Sequence, residues 1–76
     1  MYYAIVDNYI VARCNTVKYA KEKIDEYCIG LEMFAEIVKE GGQMYAWRNL
    51  DRGQDWTRVG GRVDNNKLAL IAAYNN

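Results

Sequence analysis

Two short runs rich in Tyr, Ile and Val open the chain, on either side of an Asp-Asn pair. Asp and Asn tolerate the positive φ angles of a tight hairpin turn. The pattern therefore predicts two antiparallel strands at about residues 2–6 and 9–13. A two-residue loop would pair Ile5 with Ile10. We expect this side of the hairpin, which carries no charge, to face the helix that follows.

The period of the pattern changes between residues 15 and 42. Apolar residues now recur every three or four positions, which is the spacing of one face of an α-helix. They are Val17, Ala20, Ile24, Cys28, Leu31, Ala35 and Val38. We predict one long amphipathic helix over 15–42, capped by Asn15 or Thr16 and closed by a Gly-Gly pair. The alternative is a break at Gly30, because glycine costs about 1 kcal/mol relative to alanine inside a helix.

Three more strands are predicted after the helix, at about residues 43–49, 56–63 and 67–74, with turn-rich loops between them. The last run, KLALIAAY, is apolar on both faces, which favours a central strand. Gly60-Gly61 predicts a bulge or the close approach of another backbone. The expected fold class is α+β, ββαβββ. It is a single domain (1–76) with one mainly antiparallel sheet and one long helix on one face.

The composition limits the function classes. With 76 residues, the chain is near the lower limit for a core without disulfides or metals, so its stability should be small. Ten basic residues balance ten acidic ones, so net charge does not favour nucleic acid or a membrane. No apolar run approaches the roughly 20 residues of a membrane span, and no secretory signal is recognisable. We expect a cytoplasmic protein, in the host cytoplasm if it is phage-encoded.

The two cysteines are not expected to form a disulfide. If Cys14 ends a strand and Cys28 lies on the fourth helical turn, they are separated by roughly 20 Å. A disulfide needs Cα atoms within about 7 Å. We therefore expect two free, unreactive thiols, as in a reducing compartment.

The residues of common catalytic sites are missing. There is no histidine, which excludes Ser-His and Cys-His nucleophile pairs and His-ligated metals. No glycine-rich phosphate-binding motif is present. Asp51, Asp55 and Asp64 match no calcium-loop spacing and are better explained as turn residues. We predict no enzymatic activity, no cofactor and no metal site.

The most suggestive group lies between residues 45 and 62, where four arginines and three aromatic residues occur close together. If the predicted hairpin pairs Trp47 with Arg58, one sheet face carries the candidate partner-binding residues Tyr45, Trp47, Trp56, Arg58 and Arg62. Such a face can stack bases and bind phosphates. It equally has the composition of a protein-interaction hot spot. A shift of one residue would instead bury Tyr45 and Trp47 in the core.

A second candidate surface lies on the predicted long helix. An apolar row spaced i, i+4, i+8 runs opposite the main stripe, and an exposed row of this kind usually has a partner. The lysine-rich first half and glutamate-rich second half also oppose the helix dipole. An antiparallel pair of helices from two copies would resolve both features; the alternative is that the glutamates meet arginines of the same chain. The candidate self-association residues are Tyr19, Glu26, Ile29, Met33 and Ile37.

By elimination, the sequence favours a small non-enzymatic protein that acts stoichiometrically on a macromolecular partner, with a protein as the preferred partner. Such proteins are common among phage and mobile-element accessory proteins, including inhibitors of host defence. The alternative is a nucleic-acid-binding domain that uses the aromatic and arginine face. The salt dependence of binding would separate the two. No membrane partner is expected, and a homodimer is a further candidate.

Overall fold

The computed structural model describes residues 1–76 and contains five strands and two α-helices. In chain order these are β1 (Tyr2–Val6), β2 (Tyr9–Cys14), α1 (Val17–Tyr27), β3 (Phe34–Lys39), β4 (Gln43–Asn49), β5 (Gln54–Arg58) and α2 (Asn65–Asn75). The strands form one antiparallel sheet in the order β2-β1-β3-β4-β5. The α+β class is confirmed. Neither helix has the length and apolar character needed to cross a membrane.

The first hairpin is confirmed. Asp7 and Asn8 have φ angles of 46° and 67°, so both residues adopt the left-handed conformation of a two-residue turn. Ile5 pairs with Ile10 as predicted, but the register then shifts, and Ala4 pairs with Ala12. The extra residue makes a bulge that the alternating pattern does not reveal.

The prediction of a long helix over 15–42 is wrong. The helix begins as predicted, with Thr16 Oγ1 accepting a hydrogen bond from Tyr19 N at 3.1 Å. It ends at Tyr27, and Gly30 follows with a φ of 71°. The segment predicted as its second half is β3, the central strand, in which β-branched residues pack well. The Gly-Gly pair belongs to the turn between β3 and β4.

The predicted strand at 67–74 is also wrong, because this segment forms α2. Asp64 Oδ1 accepts a hydrogen bond from Lys67 N at 2.8 Å and caps the helix. Leu and Ala favour helices, and a continuous apolar run has no period that distinguishes strand from helix. The predicted strand at 56–63 overlaps β5 only at residues 56–58, because β5 ends at Arg58. The chain after β5 stays beside the start of β4, where Met44 N donates to Gly61 O at 2.9 Å.

The sheet is covered by one helix on each face. The α1 face carries Ala4, Val6 and Ile37 against Ala20 and Ile24 of the helix. On the opposite face, Tyr3, Ile5, Val38 and partly buried Ile10 pack against Ile71 of α2. The hairpin side expected to meet the predicted helix therefore lies under α2 instead. Burial on both faces explains why β1 and β3 are almost continuously apolar.

The predicted self-association row does not exist, because its members lie in different elements. Ile37 is buried in β3, Met33 is half-buried in the preceding link, and Ile29 is 80% exposed in a turn. Tyr19 and Glu26 remain exposed on α1. The homodimer stays a prediction, without this row to support it.

Both thiols are free, as predicted, and both are buried. Burial raises the pKa of Cys14, with nearby Lys23 partly opposing the shift. Burial also raises the pKa of Cys28, against the opposing effect of Arg48. Both cysteines therefore remain protonated thiols at neutral pH, which makes them poor nucleophiles.

Candidate functional site

The β4–β5 hairpin has a different register from the one predicted. Ala46 pairs with Arg58, and Trp47 pairs with Thr57. Because paired residues share a face, Arg58 lies on the α1 face and Trp47 on the α2 face. The predicted pairing of Trp47 with Arg58 is therefore wrong. The registers of β4 shift against both of its neighbours, and such bulges leave no clear mark in the sequence.

Two of the five predicted binding residues are separated from the rest. Trp47 is half-buried beside Phe34, with ring centroids 5.7 Å apart. Arg62 lies beyond β5, where its Nη2 donates to Gly41 O at 2.8 Å. A role in binding for either residue stays a prediction.

The other three predicted residues come together on the α1 face. The helix α1 packs over β1, β2 and β3, leaving much of β4 and β5 uncovered. Tyr45 and Trp56 are half-buried there, and Arg58 is exposed. Two further cations, which the sequence pattern does not single out, lie beside them. Together the five residues form the cation–aromatic surface: Lys21, Tyr45, Arg48, Trp56 and Arg58.

Each aromatic ring of this surface has a cation close to it. The Arg58 guanidinium carbon lies 4.6 Å from the Tyr45 ring centroid. At Trp56 the corresponding distances are 4.9 Å for Arg48 and 5.5 Å for the Lys21 ammonium. Exposed cation–π contacts contribute about 0.5–1 kcal/mol each. Their main effect here is to hold long side chains in defined positions.

Arg48 links the surface to α1. It is only 6% exposed, and its Nη1 donates to Asp25 Oδ1 at 2.7 Å, while its Nε has no partner. Asp25 neutralises Arg48, so Lys21 and Arg58 supply the uncompensated positive charge. The i, i+4 spacing of Lys21 and Asp25 places both residues on the same side of α1. It becomes informative only once α1 is known to lie beside β4.

No three His, Cys, Asp or Glu side chains are grouped closely enough to hold a metal ion. Two of the three aspartates that were candidate metal ligands accept local backbone hydrogen bonds instead. Asp55 Oδ1 accepts from Trp56 N at 2.8 Å, and Asp64 caps α2. The sequence matches no protein-family model, and comparisons with curated proteins and with solved structures found no match.

Proposed function

We propose that this protein is a non-enzymatic binding domain that occupies a protein partner stoichiometrically through the cation–aromatic surface. The observation that carries the proposal is the uncovered part of the α1 face, where Tyr45 and Trp56 are held in place by cations. Trp, Tyr and Arg are the residue types enriched at interaction hot spots. Side chains that are ordered before binding lose less entropy when a complex forms.

The charge of the surface favours an acidic protein over a nucleic acid. Single-stranded nucleic acids bind by stacking bases on free aromatic faces, whereas cations already lie over Tyr45 and Trp56. The chain has no net charge, and a nucleic-acid binder usually has a pronounced basic patch. A partner that places carboxylates near Lys21 and Arg58 would satisfy both uncompensated charges. Inhibition of a host-defence protein and a cytoplasmic location stay predictions.

Charge reversal tests the proposal without disturbing the core. The Lys21→Glu, Arg58→Glu variant reverses the two uncompensated charges of the surface. Arg52→Glu is the matched control, because Arg52 is exposed, makes no ion pair and lies outside the surface. Each protein serves as bait in a lysate with and without nuclease treatment, and the captured partner is purified and titrated by calorimetry.

We expect wild type and Arg52→Glu to bind the purified partner with the same affinity and a defined stoichiometry. The double reversal should weaken binding by at least about tenfold, because each cation would be replaced by a repelling charge. Equal affinity for all three proteins would contradict the proposal. Capture that nuclease abolishes, or an affinity that falls linearly and steeply with log salt, would indicate nucleic acid instead.

A further inference from the structure

A cleft of about 370 Å³ opens beside the cation–aromatic surface, where β3, β4 and the chain after β5 meet. Lys39 and Arg58 line it, both are exposed, and neither makes an ion pair. Elsewhere in the chain, Arg13, Lys23, Arg48 and Lys67 each contact a carboxylate. The cleft therefore combines a concave shape with two uncompensated positive charges.

The groups around the cleft suit an anion. Tyr45 holds the guanidinium of Arg58 at 4.6 Å, which orients a planar fork of donors. Gln43 adds a side-chain amide to the lining. Gly60 also lines the cleft and does not require a positive φ, and a Cβ built on it would meet no atom within 4 Å. The space at Gly60 is therefore open, and neither backbone conformation nor packing demands a glycine there.

We propose that this cleft binds a carboxylate side chain from an acidic segment of the protein partner. The inference rests on the proposed function, because it assigns a specific contact to the same surface. Arginine binds carboxylates through two parallel hydrogen bonds, and Lys39 supplies a second positive charge. A phosphate would meet the same groups. The carboxylate is favoured because the neighbouring rings already carry cations and the chain has no net charge.

The probe is a capped hexaglutamate peptide titrated into the isotope-labelled full-length protein at low salt and followed by NMR. Capped hexaglutamine and oligothymidylate are the comparison ligands. Arg58→Gln and Lys39→Gln each remove one charge from the cleft, and Gly60→Val fills it. Arg52→Gln is the matched control, because it removes an exposed, unpaired charge at the other end of β4.

We expect hexaglutamate to shift the amide signals around the cleft and hexaglutamine to leave them unchanged. Loss of one charge-assisted contact should weaken binding on the order of tenfold, and Gly60→Val should weaken it similarly. Arg52→Gln should change the affinity less than about twofold. Binding that is undetectable at millimolar peptide would overturn the proposal. Equal weakening by Arg52→Gln, or tighter binding of oligothymidylate in the same cleft, would also overturn it.

The outcomes separate the cleft from the surface as a whole. If Arg58→Gln and Lys39→Gln abolish hexaglutamate binding while partner capture survives the Lys21→Glu, Arg58→Glu reversal, the proposed function is wrong. The cleft then binds an anion, but not a carboxylate of this partner. If the reversal abolishes partner capture while hexaglutamate does not bind to the protein, the proposed function is supported. The assignment of the cleft as a carboxylate-binding site is then wrong.

Discussion

A buried ion pair attaches α2 to the centre of the sheet. Glu36 lies in the central strand β3 and accepts a hydrogen bond from the Lys67 ammonium, which also donates to Asn8 Oδ1 at 2.8 Å. The Lys67 and Glu36 side chains are only 12% and 7% exposed. Both line a cavity of about 630 Å³ beside α2. Because the two charges are largely desolvated, each depends on the other.

We predict that Lys67→Met is strongly destabilising although it preserves most of the side-chain length. It leaves the Glu36 carboxylate buried without its counter-ion, and breaking a buried pair in this way typically costs about 3–5 kcal/mol. Water in the adjoining cavity should hydrate the carboxylate in part, so we expect about 3 kcal/mol, the lower end. In a small domain with a total stability of about 5 kcal/mol, this is most of the free energy of unfolding.

The double variant Glu36→Leu, Lys67→Met is the decisive comparison, because it removes both charges together. Replacement of a buried pair by apolar residues is often neutral, so we expect it to lie within about 1 kcal/mol of wild type. Urea unfolding followed by tryptophan fluorescence measures all variants, and Glu36→Leu alone completes the double-mutant cycle. A cost of less than about 1 kcal/mol for Lys67→Met, or a double variant no more stable than Lys67→Met, would contradict a mutually dependent buried pair.

Two further predictions concern a turn and the thiols. Gly42→Ala should destabilise the fold by about 1 kcal/mol more than Gly41→Ala, because both glycines have positive φ but only at Gly42 would a Cβ overlap Leu68. Equal losses in urea unfolding would contradict this. Burial raises the pKa of Cys14 and Cys28, so the unfolded chain loses these protons first, and stability should fall as pH rises above about 8.5. The Cys14→Ala, Cys28→Ala variant should lose less stability than wild type between about pH 8 and 10. An unchanged slope of stability against pH would show that the two thiols do not cause the loss.

The first hairpin could be predicted because its signal is local: two apolar runs flank residues that suit the turn. The strand β3 could not, because its pattern depends on a distant element. Phe34–Lys39 carries apolar residues on both faces, which fits one side of a helix as well as a strand buried twice. Only the presence of α2 on the second face decides between them. Because α2 was predicted as a strand, nothing in the predicted fold covered that second face.

Only part of the candidate site could be predicted, because the strand register decides which residues lie on its face of the sheet. Aromatic and basic residues in the correct segment were visible in the sequence, and Tyr45, Trp56 and Arg58 do share a region. The shifts between β4 and its neighbours decide which face each residue occupies, and they place Trp47 on the opposite face. Arg48 was not selected because its role depends on Asp25, which lies on a different element.

The unfavourable charge pattern of the predicted helix was itself a sign of error. Local features that contradict the proposed structure usually indicate that the assignment is wrong. In the folded chain, Glu36 pairs with Lys67 and Glu40 pairs with Arg13, so these two cations are neutralised. The uncompensated charges of Lys21, Lys39 and Arg58 then lie along one surface and its cleft. Net charge therefore describes this chain poorly: a neutral protein can still present a directional positive potential to an acidic partner.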